Sequence, residues 1–260
     1  MEIDIDSALR RAYYNRLRRP GVSSTVPGSL PIVAFGDIFA ARIVTIALNP
    51  SPFEYLSQKN HEELTGAKRR FETLASLGAS SRISLTEDQC DKALRVMREY
   101  YQRAKSVYRY FRHLENVLGG LGASYYDGSA AHLDLVQEAT WPAWSELQLT
   151  RREEVAELLR LDLPFLRFQL ESHKATIFLC NGKAASQGVQ SLFSVEILGS
   201  EKIKRINCWF GRATLKEREI ALAGWNYPLD KATGLGNTGE RELGQLIRKR
   251  LSLFDMKAVK

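Results

Sequence analysis

Four short segments pair an apolar run with polar side chains able to hold water, protons or hydrogen bonds. The first is Ile43-Val44-Thr45-Ile46-Ala47-Leu48-Asn49-Pro50-Ser51-Pro52, where a β-branched run stops at a carboxamide and two prolines turn the backbone aside. Ligands of open α/β sheets sit outside the carboxyl ends of the strands, so Asn49 stands where chemistry is expected. An ordinary Asn-Pro turn would use the same residues. In Ala131-His132-Leu133-Asp134 the two polar side chains are two apart on a strand and point to one side. A structural His–Asp pair at a strand end is the competing reading. Asn181-Gly182-Lys183 carries a strand into a helix whose first amides are free for an anion or a carbonyl. Trp225-Asn226-Tyr227-Pro228-Leu229-Asp230 again ends a strand in asparagine near proline.

The elements that must position these residues follow from periodicity. Apolar runs at 31–36, 42–48, 132–136, 175–180, 202–209 and 219–225 predict strands. Helices are expected over 5–18, 60–77, 87–104, 107–118 and 151–171, from near Lys183, and over 239–252. Thr86 followed by Glu87 and Asp88 reads as a helix start. Strands alternating with helices predict an α/β fold, a mostly parallel central sheet with helices on both faces. The chain reads as a single domain over 1–260 with a helical insertion at about 57–125. Gly234-Leu235-Gly236-Asn237-Thr238-Gly239 matches a dinucleotide fingerprint in letters only, since too little chain follows to complete a βαβ unit. No Walker A motif and no Gly-x-Ser-x-Gly elbow occurs.

A formal charge of +7 favours an anionic partner, most simply nucleic acid. Arg10, Arg11, Arg16, Arg18 and Arg19 beside Tyr13 and Tyr14 offer a phosphate-contacting surface, with a solvated basic face as the plainer reading. Cys90, Cys180 and Cys208 are odd in number and far apart, and the four histidines are scattered, so no metal site and no disulfide framework is expected. Met1 to Asp6 is acidic, so no secretory signal is expected, and no apolar stretch has the length of a membrane span. A cytoplasmic, monomeric protein without a cofactor is the expectation.

Taken in order, the four strand ends resemble the uracil-DNA glycosylase superfamily, especially its mismatch- and thymine-specific branch. Ala47-Leu48-Asn49-Pro50 is similar to that branch's Gly-Ile-Asn-Pro, and Asn181-Gly182-Lys183-Ala184-Ala185 to its Gly-Lys-x-Ala junction. Trp225-Asn226-Tyr227-Pro228-Leu229 resembles the last motif, His-Pro-Ser or Asn-Pro-Ser followed by a leucine wedge, with one residue inserted and no serine. The resemblance runs from about 31 to 250, and the helical stretch has no counterpart in it. A divergent branch fits that pattern, such as the bacterial anti-phage glycosylases that remove glucosylated hydroxymethylcytosine from viral DNA.

The resemblance implies a monofunctional DNA glycosylase that flips a base, hydrolyses its N-glycosidic bond and leaves an abasic site. Asn49 would hold the water, Glu54 would assist, and Asn226 would hydrogen-bond the departing base. Phe53, Tyr55 and Tyr227 offer aromatic surfaces to a flipped nucleotide, and His132 and Asn181 complete its pocket. Ser51, Lys183, Lys231, Leu229 and Leu235 would contact DNA, one of the leucines as the wedge. Asp134 lies where uracil-specific relatives read the base with asparagine. An ionised aspartate only accepts hydrogen bonds, which suits the exocyclic amine of a modified cytosine and not uracil. A uracil or mismatch repair enzyme, a non-catalytic DNA- or nucleotide-binding relative, and an unrelated hydrolase built on His132 and Asp134 remain open.

Overall fold

The computed structural model describes residues 7–103, 109–231 and 233–255. The chain start, the first residues of the helix expected at 5–18, and the join between the helices expected at 87–104 and 107–118 lie outside the described residues.

Among the described residues, β1 (Ile43–Ala47), β2 (Ala130–Asp134), β3 (Ile177–Asn181), β4 (Glu196–Ile203), β5 (Ile206–Leu215) and β6 (Arg218–Trp225) form one sheet in the order β2-β1-β3-β6-β5-β4. The pairs along β2-β1-β3-β6 are parallel, and β5 and β4 add an antiparallel flank. The expected α/β class with a mostly parallel sheet is what the chain adopts. Every residue of β1 and β2 is buried, which is why these strands read as apolar runs rather than alternating ones.

Side chains alternate between two cores. Ile43, Leu179 and Ala223 face α5 (Arg109–Leu121) and α9 (Gly236–Asp255), while Val44, Ile46, Phe178 and Leu222 face α7 (Arg152–Ser172) and α8 (Lys183–Leu192). Helices therefore cover both faces. α5 and α9 cross closely because neither Gly120 nor Gly244 carries a Cβ. One added to Gly244 would stand 2.0 Å from the Val117 carbonyl oxygen. α1 (Ser7–Arg18) and α3 (Glu87–Arg98) extend the same side, and α3 starts at the expected Thr86, whose hydroxyl accepts from the Gln89 amide in a capping box.

Three local expectations are corrected. Residues 31–36 form no strand; they run along the open edge of β2, with Phe35 and His132 exchanging two backbone hydrogen bonds of 2.9 Å. That coil covers an edge which would otherwise be free to pair. The helix expected over 60–77 is only a 3-10 turn at Gly66–Lys68 and α2 (Leu74–Leu77), because residues 61–70 offer one leucine and no apolar stripe to bury. The strand expected over 202–209 is a hairpin: Lys204 (φ 51°) and Arg205 turn β4 into β5 without the glycine or asparagine that announces such turns. α6 (Trp144–Thr150) has too short a pattern to register, and α4 (Tyr100–Arg103) continues the insertion.

The basic face expected on α1 turns partly inward. Arg16 is buried and donates to Glu138 (3.1 Å), Asp162 (3.0 Å) and Gln137 (3.0 Å), and Arg82 grips Glu138 with two bonds of 2.9 Å. Arg19 also reaches Asp162. Burial pushes the Glu138 carboxyl up, and the charges of Arg16 and Arg82 overcome it to leave the group below its usual range. This cluster fastens the chain after β2 to α1 and α7, and that chain carries one wall of the site.

Candidate active site

At the carboxyl ends of β1 and β2, on the α5 face, the chain encloses a cleft of about 360 Å³. That places it at the small end of the roughly 300–1,000 Å³ typical of ligand pockets. Six of the sequence-predicted residues line it, five of them being Asn49, Ser51 and Glu54 from the turn after β1, and His132 and Asp134 from β2. Lys231 reaches it from the loop after β6. Parallel pairing in register, Thr45 with His132 and Ala47 with Asp134, brings the two strand ends together.

The prolines fix the first wall. Pro52 starts a 3-10 turn whose cap is Ser51, the hydroxyl accepting from the Phe53 amide at 3.2 Å. Asn49 sits just before it, half-buried. Its Nδ2 donates to the Pro50 carbonyl (3.1 Å) and to Thr140 Oγ1 (3.3 Å). A carbonyl can only accept, so the amide orientation is set and Oδ1 is left as an acceptor. Asn49 can thus accept a hydrogen bond through Oδ1.

Glu54 is buried in the same wall, held by the Tyr100 hydroxyl at 3.0 and 3.1 Å and by Arg70 at 3.3 Å. Burial lifts its pKa to about 6; Arg70 and the Tyr100 hydrogen bond pull it down, and the charge of Asp134 pushes it up. A carboxyl poised there changes charge just below neutrality, as a general base requires.

On β2, the His132 ring lies between Asp134 Oδ1 at 3.4 Å and Thr45 Oγ1 at 2.7 Å, and Thr45 meets the buried Tyr125 hydroxyl at 2.5 Å. The pair does share one side of the strand, and it also has the structural partners of the plainer reading. Asp134 Oδ2 makes no hydrogen bond, an unusual state for a buried carboxylate.

Several predicted site residues lie elsewhere. Asn226 is outside the cleft: its Oδ1 accepts from the Asn207 amide at 2.9 Å, which turns it toward β5 and a separate groove shared with exposed Tyr227. Trp225 beside it points into the α5–α9 core, and β3 stands between β6 and β1. Asn181 is a structural residue. Its Oδ1 accepts from Trp225 Nε1 (2.7 Å) and the Leu229 amide (3.1 Å), and its Nδ2 donates to the Tyr110 hydroxyl (2.6 Å). Gly182 allows that turn, with φ of 101° and Pro228 too close for any Cβ. Tyr55 is a core residue whose hydroxyl donates to the Leu30 carbonyl at 2.7 Å. Leu229 and Leu235 are both buried in the core, so neither can serve as a wedge. Lys183 is exposed at the start of α8 and lines a hollow with Asn226, not the cleft. Phe53 is half-buried and does not line the cleft; it is stacked on His61 at 6.0 Å and edge-on to exposed Trp141 at 6.3 Å.

Three participants had no sequence signal. Tyr110, on the helical insertion, lines the cleft; because it accepts from Asn181, its own hydrogen is free for another acceptor. Burial first, then the carboxylate of Asp134, pushes this phenol well above its usual range, so it stays a donor. Thr140 orients Asn49 from a loop whose next residue is Trp141. Trp144 lines the cleft from α6.

Among the described residues no group of three or more His, Cys, Asp or Glu is placed to share a metal ion, and no helix is long and apolar enough to cross a membrane. No family model matches this chain, and no curated protein matches it in sequence.

Proposed function

We propose that this cleft hydrolyses the N-glycosidic bond of a modified pyrimidine, a modified cytosine by preference, in DNA. The observation that carries the proposal is the meeting of Asn49 and Glu54 in one small cleft: a carboxamide oxygen left to accept from water, beside a buried carboxyl with a pKa of about 6. Asn49 orients the water, and Glu54 takes its proton as the water oxygen bonds to the sugar carbon. The glycosidic electron pair leaves with the base, whose developing charge receives a hydrogen bond from Tyr110. Tyr110 thereby takes the part that the resemblance gave to Asn226. Asp134, with one oxygen unpaired, accepts from the exocyclic amine of cytosine. Trp141, exposed on the loop that orients Asn49, fills the gap in the base stack in place of a leucine. The reading is of a uracil-DNA glycosylase relative working as a cytoplasmic monomer without a cofactor. Phage DNA carrying glucosylated hydroxymethylcytosine is one substrate of the required kind.

The distance of Asn226 from the cleft favours one second reading, a relative that keeps the fold and binds DNA without the reaction. One experiment separates the two. Duplexes carrying cytosine, hydroxymethylcytosine, glucosylated hydroxymethylcytosine, uracil or a thymine mismatch are incubated with the protein, and abasic sites are cut with alkali. The proposal expects strand cuts at a modified cytosine, lost in Asn49→Ala with DNA affinity retained. DNA binding with no cut on any substrate would establish the second reading.

A further inference from the structure

Beside the cleft, the β4–β5 hairpin and the loop after β6 enclose a second groove of about 470 Å³. Lys202, Lys204, Arg205 and Lys231 line it, and no carboxylate does. The nearest acids are accounted for. Glu201 is paired with Arg250 of α9, and Asp230 lies 3.8 Å from Lys231. Lys231 belongs to both hollows, so the groove opens directly beside the cleft.

The neutral residues point to the same class of ligand. The Asn207 amide captures Asn226 Oδ1, so the two hydrogens on Asn226 Nδ2 are the part left to donate. Tyr227 is 53% exposed and offers an uncovered ring face. Beyond them the hollow continues along Lys183, Gln187 and Gln190 and the ring of Trp209, again without a carboxylate. Lysine, arginine and amide donors in sequence, with one open aromatic, form the pattern that tracks a phosphodiester chain and stacks a base. The hairpin is also shaped for it. Lys204 adopts φ of 51° at the first turn position, normally a glycine role, and its Nζ grips the Gly234 and Leu235 carbonyls at 2.9 and 3.3 Å. That clamp fixes the tip, leaving Lys202 and Arg205 exposed.

We propose that this groove binds the phosphodiester backbone of the DNA strand next to the nucleotide that occupies the cleft. The threading of that strand into the cleft rests on the glycosylase reading; the phosphate contact does not. Its test is a binding measurement, independent of base release. Fluorescence anisotropy of a labelled duplex and a labelled single strand is followed against salt for the wild type, Lys202→Ala/Arg205→Ala, Lys202→Glu/Arg205→Glu and Tyr227→Ala. Each lost phosphate contact lowers the slope of log affinity against log salt by about 0.9 on duplex, so the alanine pair loses roughly 1.8. Between about 50 and 200 mM salt, affinity of the wild type should then fall roughly 12-fold more than that of the pair. The glutamate pair should bind more weakly still, and Tyr227→Ala should weaken the single strand more than the duplex. Unchanged melting temperatures would show that the variants fold.

Wild-type affinity and salt slope in both charge variants would overturn the proposal, as would equal competition by polyglutamate, which would assign the groove to an acidic peptide. Salt-dependent binding through these residues with no base released anywhere would uphold the groove and sink the glycosylase reading. Base release with unaltered DNA affinity in the variants would do the reverse.

Discussion

Glu54→Gln puts the proposed general base to the test. In the native chain the carboxyl is 2% exposed and its pKa stands at about 6 against an ordinary 4.5, with burial as the main cause. Ionisation then rises from about 10% near pH 5 to about 90% near pH 7, so a rate that needs the carboxylate should increase roughly ninefold across that interval. Single-turnover base release from a modified-cytosine duplex, measured across that interval, reads this directly. The glutamine variant should be slow and should lack the rise. Stability has the opposite slope. The folded state holds this proton more tightly than the unfolded chain, so stability is greatest below the unfolded pKa. It falls by about 2 kcal/mol in all as pH climbs from well below 4.5 to well above 6, a little over about 1 kcal/mol of it in the window between those two values. Urea unfolding of both proteins at the two ends of that window should show the loss in the wild type alone. A flat rate profile in an active wild type, or an intact rise in Glu54→Gln, would refute the assignment.

Asp134→Asn should move preference from a cytosine base toward uracil; exchanging a charged hydrogen bond of about 1.5–3 kcal/mol corresponds to roughly 10- to 150-fold in the ratio of kcat/KM values. Unchanged preference in an active variant would remove Asp134 from base reading. Trp141→Ala should cost duplex substrates about 1–3 kcal/mol of stacking and spare single-stranded ones, compared by kcat/KM on each. Equal losses on both would exclude a wedge. Gly244→Ala, which places a methyl 2.0 Å from the Val117 carbonyl oxygen, should destabilise the α5–α9 contact by about 1–3 kcal/mol in urea unfolding. Glu138→Ala strands the buried Arg16 and Arg82 charges and should cost about 3–5 kcal/mol by the same measurement.

The sequence by itself determined that Ile43–Ala47, Ile177–Asn181 and Arg218–Trp225 are strands and that helices alternate with them, because apolar runs bounded by proline, glycine and asparagine need only local chemistry to be read. It also determined that His132 and Asp134 share a side, since a strand's period of two is a local property. Only the tertiary structure decided which strand ends meet. Asn49 and Asp134 converge because β1 and β2 are neighbours in register. Asn226 does not, because β3 separates its strand from β1 by two spacings of about 4.8 Å and the Asn207 amide turns it away. The roles of Tyr110 and Arg16 were equally illegible. A hydroxyl held by a distant asparagine and an arginine paired 122 and 146 positions away are products of packing, which no spacing along the chain records.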